Sequence, residues 1–434
     1  MRLVSTNNPS IEASWREAVL SGLAPDGGLY LPAQLPSFSA AELQRFRSLS
    51  FPELCTELAA AFLGAEVPHS TLSQICQESF SFPLPLRAIS DDLSVLELFH
   101  GPTCAFKDFG ARFMSRLFRH FWGIQAKPLT VIVATSGDTG GAVANAFFDP
   151  SPSAPIRVAV LFPKGKVTPV QEKQMTALGG NVTAFEVDGT FDDCQKLAKQ
   201  ALADEDLLSR AALTSANSIN IARLLPQMFY YVYASLMLAD SEAPIVSVPS
   251  GNLGNVTGGL MAKAIGAPLH HFVAALNANR TFEAFLQSGR FLPQPSIETI
   301  SNAMDVGNPS NLARISALYA ASMSEINSHL SAFSITEAET IETMRSIYQD
   351  SGYILDPHTA VGVAALRRFK ANERSSRNAI VAATAHPAKF AHVVKRAIDR
   401  EPPLLPQLSA ILNAPGRKVP LSNSFRSLKE AMIR

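Results

Sequence analysis

Apolar positions along the chain follow two rhythms. Over about the first ninety residues the spacing is helical. Segments 13–21 (ASWREAVLS), 40–48 and 52–63 line apolar side chains along one face, with Leu54, Leu58, Ala61 and Phe62 in the last. Between the first two lies APDGGLYLP, in which Asp26, Gly27, Gly28 and Pro32 break regular structure. Residues 1–92 therefore read as a mainly helical N-terminal domain. From Leu93 onward, short apolar or β-branched runs alternate with helical stretches. TVIVAT (130–135) precedes a helix at 141–148, RVAVLF (157–162) one near 168–178, and NVTAFEV (181–187) one at 192–203. APIVSVP (243–249) leads through a Gly-rich turn into another. Strands alternating with helices form parallel βαβ units, so the pattern predicts an α/β fold of open sheets. Thr336 and Glu339 have capping-box spacing at the head of TEAETIETMRSIYQ (336–349), which predicts a surface helix there.

Composition narrows the classes of function. Of 434 residues, 37 are Lys or Arg and 37 are Asp or Glu, so the net charge is zero with histidines neutral. A chain that wraps nucleic acid needs surplus cations to displace counterions from phosphates, and this one has no surplus and no long basic run. Nucleic acid is not an expected partner. With 47% hydrophobic and 17% charged residues the chain is a folded globular protein, and its length predicts about two to three domains. MRLVSTNNPS carries no apolar run of a secretory signal, and no stretch reaches membrane-spanning length, so no membrane partner is expected. Cys55, Cys76, Cys104 and Cys194 show no CxxC or zinc-ligand spacing. They read as reduced thiols of a cytoplasmic protein that holds no metal.

Three constellations carry chemistry. Ser250-Gly251-Asn252-Leu253-Gly254-Asn255 lies between the strand-like IVSVP and the helix-like GLMAKAIG. Its glycines let the backbone approach an anion, and N–H groups at the helix start point at it. The absence of a Gly-Lys-Ser/Thr ending excludes a nucleoside-triphosphate loop, and the glycine spacing fits a dinucleotide poorly. A monophosphate fits; a plain tight turn is the alternative. Thr135-Ser136-Gly137-Asp138-Thr139-Gly140-Gly141 offers hydroxyls and amides to a carboxylate or phosphate, unless Asp138 merely caps the helix. The third constellation sets Lys107 among Cys104, Ala105, Phe106 and Phe109. Apolar surroundings lower a lysine's pKa and suit it to form an imine or act as a base; an ordinary ion pair with Asp108 is the alternative. An imine-capable lysine and a monophosphate cradle, without a metal or redox signature, together match the needs of pyridoxal 5′-phosphate.

The run FHGPTCAFKDFGARF resembles the lysine segment of the threonine synthases, a family of fold type II pyridoxal-phosphate enzymes. GLAPDGGLYLP, ATSGDTGGAVANAF (134–147), TSANSINIARLLPQ (214–227), VPSGNLGN (248–255), DPHTAVG (356–362) and ATAHPAKF (383–390) resemble further segments of that family, in the same order. The resemblance implies two open-sheet α/β lobes of the tryptophan-synthase-β kind behind the helical N-terminal domain. The large cofactor-binding lobe would comprise residues 93–125 and 215–434, the small mobile lobe 126–214. Lys107 would hold the cofactor as an imine, Gly251, Asn252, Leu253 and Asn255 would cradle its phosphate, and Thr384 would approach its pyridine nitrogen. Asp138 stands where relatives of this fold often place an asparagine beside the ring. Ser136 and Thr139 would bind substrate, and Asn217 and Arg223 would hold the substrate phosphate.

The family reaction turns O-phospho-L-homoserine and water into L-threonine and phosphate. It implies transfer of the imine to substrate, loss of the Cα and Cβ protons, γ-elimination of phosphate and water addition at Cβ, with freed Lys107 carrying the protons. His100, His358 and His386 are read first as structural residues, with substrate or cofactor contact as the alternative. Cys104 and Leu253 depart from the larger apolar residue and the phenylalanine common in the family, yet stay apolar. Two competing readings remain at this level. One is another lyase of the same fold, such as a threonine or serine dehydratase or a β-replacing synthase; the other is a non-catalytic threonine-synthase-like binding protein.

Overall fold

The computed structural model describes residues 1–123, 128–151, 154–238 and 242–433. A six-stranded sheet runs, in spatial order, Leu330–Ser334, His271–Leu276, Ile245–Pro249, Ala379–Ala383, Leu93–Glu97 and Leu86–Ser90. Its neighbours are parallel except the last pair. Ile245–Pro249 and Ala379–Ala383 are buried at every residue. This is the pattern of central strands covered on both faces, and it explains why they read as unbroken apolar runs. A five-stranded, all-parallel sheet runs Val419–Ser422, Val182–Asp188, Ile156–Pro163, Leu129–Ala134 and Ala212–Ser215. The strands expected from their apolar runs all form, each followed by its helix: Asp138–Phe147, Pro169–Thr176, Phe191–Leu202 and Gly254–Ala264.

Two segments belong to other sheets than a linear division implies. Leu86–Ser90, within the stretch read as N-terminal, is the antiparallel edge strand of the large sheet. Val419–Ser422, counted above with the large lobe, pairs with Val182–Asp188 in the small sheet. Only Leu421 of that strand is buried, so its pattern gives no strand signal. The boundary expected between residues 125 and 126 lies outside the described residues.

The N-terminal part holds the helices Trp15–Ser21, Ala40–Phe46, Phe51–Leu63 and His69–Ser79, as expected. It also holds a small antiparallel sheet of Glu12–Ala13, Leu3–Ser5 and Tyr30–Pro32, the last inside the turn-rich APDGGLYLP. Strands of two or three residues are too short to show a period. Thr336 and Glu339 form the expected capping box on helix Glu337–Ser351, and Ser14 with Glu17, Ser39 with Glu42 and Thr190 with Asp193 form others.

Helix Lys107–Trp122 packs on helix Ile221–Met237. Phe109 meets Tyr230 at 5.2 Å between ring centres and Phe51 of the N-terminal part at 5.9 Å. At Gly110 a Cβ would fall 2.8 Å from the Arg223 carbonyl oxygen and 2.9 Å from its Nε. Glycine there lets the lysine-bearing helix lie directly against Arg223. Among the described residues no helix is long and apolar enough to cross a membrane.

Candidate active site

Strands of both sheets end at one cavity. Pro249 leads into residues 250–255, Ala383 into Thr384, and Ala134 of the small sheet into 135–141. The carboxyl ends of parallel strands are where open α/β sheets bind ligands. Lys107, Ser136, Asp138, Thr139, Asn217, Arg223, Gly251, Asn252, Leu253, Asn255 and Thr384 all line this cavity, joined by His358. His100 and His386 line a separate hollow with Glu97 and Tyr353.

Lys107 is the first residue of its helix, behind a loop bent by Cys104, which has a left-handed φ of 58°. The loop is pinned to the large lobe: the Phe106 N–H donates to the Thr384 carbonyl at 2.8 Å and the His386 N–H to the Cys104 carbonyl at 3.0 Å. Asp108 does not pair with Lys107. Its carboxylate turns back to accept from the Thr103 N–H at 2.9 Å and the Thr103 hydroxyl at 2.7 Å. Gly101 makes the room, since a Cβ there would lie 2.4 Å from that carboxylate. Withdrawal from water lowers the Lys107 pKa to about 8; Asp138 opposes the shift, and Lys389 and Arg223 add to it. The amine is protonated below that value and nucleophilic above it. Imine formation between the cofactor-free protein and pyridoxal 5′-phosphate should therefore speed up as pH rises through about 8, well short of an ordinary lysine's 10.5. Following the imine absorbance against pH checks this; a midpoint near that of free lysine refutes it.

The 250–255 loop is built around Leu253, whose φ of 61° places it in the left-handed region at the head of helix Gly254–Ala264. Met304 roofs Gly251 so closely that a Cβ would fall 2.8 Å from the Met304 Cα. The Asn252 side chain braces the loop, donating to the Ser218 hydroxyl at 2.6 Å and accepting from the Ser310 N–H at 2.5 Å. Asn255 differs. Its Oδ1 accepts from Tyr230 at 2.5 Å and Tyr231 at 2.8 Å, which leaves the buried Nδ2 without a partner among the described residues. An unmade buried hydrogen bond costs about 1–3 kcal/mol, so a donor oriented in this way calls for an acceptor. The cradle thus fits the phosphate of the cofactor.

In the second Gly-rich turn the Thr135 hydroxyl accepts from the Gly137 and Gly140 N–H groups, both at 2.9 Å, so those two donors are committed inside the turn. Asp138 does not cap the helix; the cap position is Gly137. Instead its carboxylate accepts from Lys389 Nζ at 2.7 Å and Gln171 Nε2 at 2.9 Å. Burial alone would raise the Asp138 pKa, but Lys389 and Lys107 hold it well below the usual carboxylate range. Lys389 and Gln171 were not singled out from the sequence. The signal for Lys389 was a cation inside the apolar run HPAKFAHVV.

Asn217 lines the cavity, but its amide is occupied. It donates to the Ala134 carbonyl at 2.7 Å and accepts from the Ala134 N–H at 3.2 Å, bracing the end of the strand before Ser136. Arg223 is 3% exposed. One guanidinium N–H donates to the Ala216 carbonyl at 2.7 Å, the buried Nε has no partner, and no ion pair reaches it among the described residues. Burial lowers its pKa to about 10, Asp108 opposing, so it remains a cation at neutral pH. His358 Nδ1 meets Asp356 at 2.8 Å, and its Nε2 accepts from the Ala303 N–H at 3.2 Å. His358 therefore ties Asp356 to the segment that carries Met304.

The chain matches family models described as pyridoxal-phosphate dependent enzyme over residues 83–384, threonine synthase N terminus over 2–80, and threonine synthase, C-terminal over 359–432. It is 40% identical to a threonine synthase of Serratia marcescens, covering 100% of this chain and 99% of the relative. It is 39% identical to that of Escherichia coli (strain K12), with the same coverage. The crystal structure of threonine synthase from Escherichia coli superposes with a TM-score of 0.93, covering 100% of this chain and 99% of the other. A PLP-bound threonine synthase from Brucella melitensis, 34% identical, gives 0.90 with 99% and 98% covered. Threonine deaminase isoform 2 from Solanum lycopersicum, 15% identical at a TM-score of 0.56, shares the fold alone. Matched from its second residue to its last helix, the chain belongs to the threonine synthase family and is a pyridoxal-phosphate-dependent lyase.

Proposed function

We propose that this chain converts O-phospho-L-homoserine and water into L-threonine and phosphate in the cavity between the two sheets. The observation that supports the choice of substrate is Arg223, a buried cation with no carboxylate partner among the described residues, in a cavity whose 250–255 loop suits the cofactor phosphate. A dehydratase of this fold needs one phosphate site; the 250–255 loop and Arg223 together support two here.

Bound pyridoxal 5′-phosphate supplies an aldehyde for amine exchange and an electron sink for the substrate's Cα. Lys107, neutral for much of the time near pH 8, takes the proton from substrate Cα and one from Cβ, carbons that a single mobile amine reaches in turn; once phosphate has left, the terminal carbon takes up a proton and becomes the methyl group, and Cα regains its proton as water adds its hydroxyl at Cβ. Thr384, which lines the cavity, would present its hydroxyl to the pyridine nitrogen of the bound cofactor; a hydroxyl there would not force a proton onto the ring as a carboxylate would, leaving proton control with Lys107. Ser136 and Thr139 offer hydroxyls to the substrate, and Asn217 keeps their turn in place through Ala134. The Arg223 guanidinium holds the departing phosphate by charge-assisted hydrogen bonds. The small lobe, carrying Ser136 and Thr139, closes on the substrate and keeps water out until the addition at Cβ.

Four free, buried cysteines fit a cytoplasmic setting. Incubating the cofactor-loaded protein with O-phospho-L-homoserine is expected to release phosphate and threonine in equal amounts. Consumption of serine or threonine to an oxo-acid, with the phosphorylated substrate untouched, would assign a dehydratase instead.

A further inference from the structure

A fully buried ion pair joins the two lobes beside the cavity. Lys389 lies in the short turn Pro387–Phe390, after Thr384 on the large sheet, and Asp138 opens helix Asp138–Phe147 after the small sheet. Their Nζ and Oδ1 atoms are 2.7 Å apart, and the side chains are 0% and 2% exposed. Lys389 also donates to the Thr103 carbonyl at 2.9 Å, at the head of the loop that carries Lys107. Gln171 donates to the same Asp138 oxygen at 2.9 Å. Two hydrogen-bond donors therefore fix that carboxylate, which lines the cavity together with Lys107.

A buried ion pair is weak evidence for stability, because removing two charges from water offsets their attraction and an apolar pair of similar size serves as well. The position of this pair points to a further use. Lys107 must exist as a neutral amine before it takes a proton and as an ammonium afterwards, with Lys389 and Arg223 already nearby. Asp108 is bound to Thr103, and burial raises the Cys104 thiol to about 11, which leaves it neutral. Among the described residues, Asp138 is the one carboxylate that lines the cavity with Lys107, and so the anion left to face that ammonium.

We infer that Asp138 and Lys389 are a positioning pair for Lys107: Asp138 is the counter-ion of the Lys107 ammonium, and Lys389 keeps that carboxylate ionised and anchored to the large lobe. Lys389 thus acts through Asp138 and does not touch the reacting atoms. Its charge also limits how strongly Asp138 holds a proton on Lys107. The inference rests on Lys107 as the imine lysine and not on the identity of the substrate, so its test uses none.

Cofactor-free wild type, Lys389→Met, Asp138→Asn and the double variant are mixed with pyridoxal 5′-phosphate over a range of pH, and the midpoint of imine formation is read from absorbance. Lys389→Met is expected to raise the midpoint by about one unit, because Asp138 then has Lys107 as its nearest cation. Asp138→Asn is expected to lower it, the double variant to fall between the two, and Lys389→Arg to restore the wild-type value. A midpoint that stays or falls in Lys389→Met overturns the inference. Should that variant fail to fold, Asp138→Asn against wild type decides the counter-ion role: a lower midpoint upholds the inference, and an equal or higher one overturns it. A wild-type protein that forms no imine would remove the Lys107 assignment, and this inference with it, while leaving the substrate question to the phosphate-release assay.

Discussion

Lys107→Ala is expected to stay folded, to show no imine absorbance with pyridoxal 5′-phosphate, and to turn over substrate at least about 10⁴-fold more slowly than wild type. The size of the loss follows from the number of steps that need the same amine: cofactor attachment, release to substrate and proton movement at two carbons. The fold should tolerate the change. Lys107 is the first residue of a sixteen-residue helix, alanine is the best helix former, and no salt bridge from Lys107 occurs among the described residues. Relief of a desolvated amine favours the variant further, so its melting temperature should equal or exceed that of wild type. Lys389 does not provide a substitute, since its ammonium is bound to Asp138 and the Thr103 carbonyl. Absorbance, melting and phosphate release measured on one preparation separate loss of chemistry from loss of fold. Activity within tenfold of wild type, or a retained imine band, would remove Lys107 from its role.

The fold was legible where burial imposes a period. Ile245–Pro249 and Leu129–Ala134 are almost wholly buried and read as apolar runs, and the glycines after them marked the turns. Val419–Ser422 escaped because one buried leucine makes no pattern, and its place in the small sheet depends on hydrogen bonds to Val182–Asp188. The site divides in the same way. Lys107 and the 250–255 loop were visible because apolar neighbours and glycines are local features. What the polar side chains do there was not, because a distant partner decides it. Asn217 looks like a free amide in sequence but closes two bonds on Ala134, 83 residues away. Asn255 gains its free Nδ2 only because Tyr230 and Tyr231 fix the other end of the amide. Asp138 looks like a helix cap until the fold brings Lys389 to it.

Arg223→Met is expected to reduce kcat/KM for the phosphorylated substrate by about 30-fold or more, equivalent to about 2 kcal/mol of lost transition-state stabilisation. Methionine is chosen over alanine because it fills the space against Gly110 and Ala216, so no cavity term confuses the result. The variant should also melt at a higher temperature than wild type in the absence of ligand. In wild type a guanidinium is buried against one carbonyl with its Nε unpaired, an arrangement that burdens the empty protein and is compensated only when an anion arrives. With the 250–255 cradle filled by bound cofactor in both proteins, inorganic phosphate, the reaction product, provides the direct check: it should raise the melting temperature of wild type by mass action and leave Arg223→Met nearly unmoved. The same asymmetry predicts which step suffers. Arg223 retains its charge up to about pH 10, so the deficit should be constant through the neutral range and not follow the titration of Lys107. An unchanged rate, or equal protection of both proteins by phosphate, would place the substrate phosphate elsewhere in the cavity.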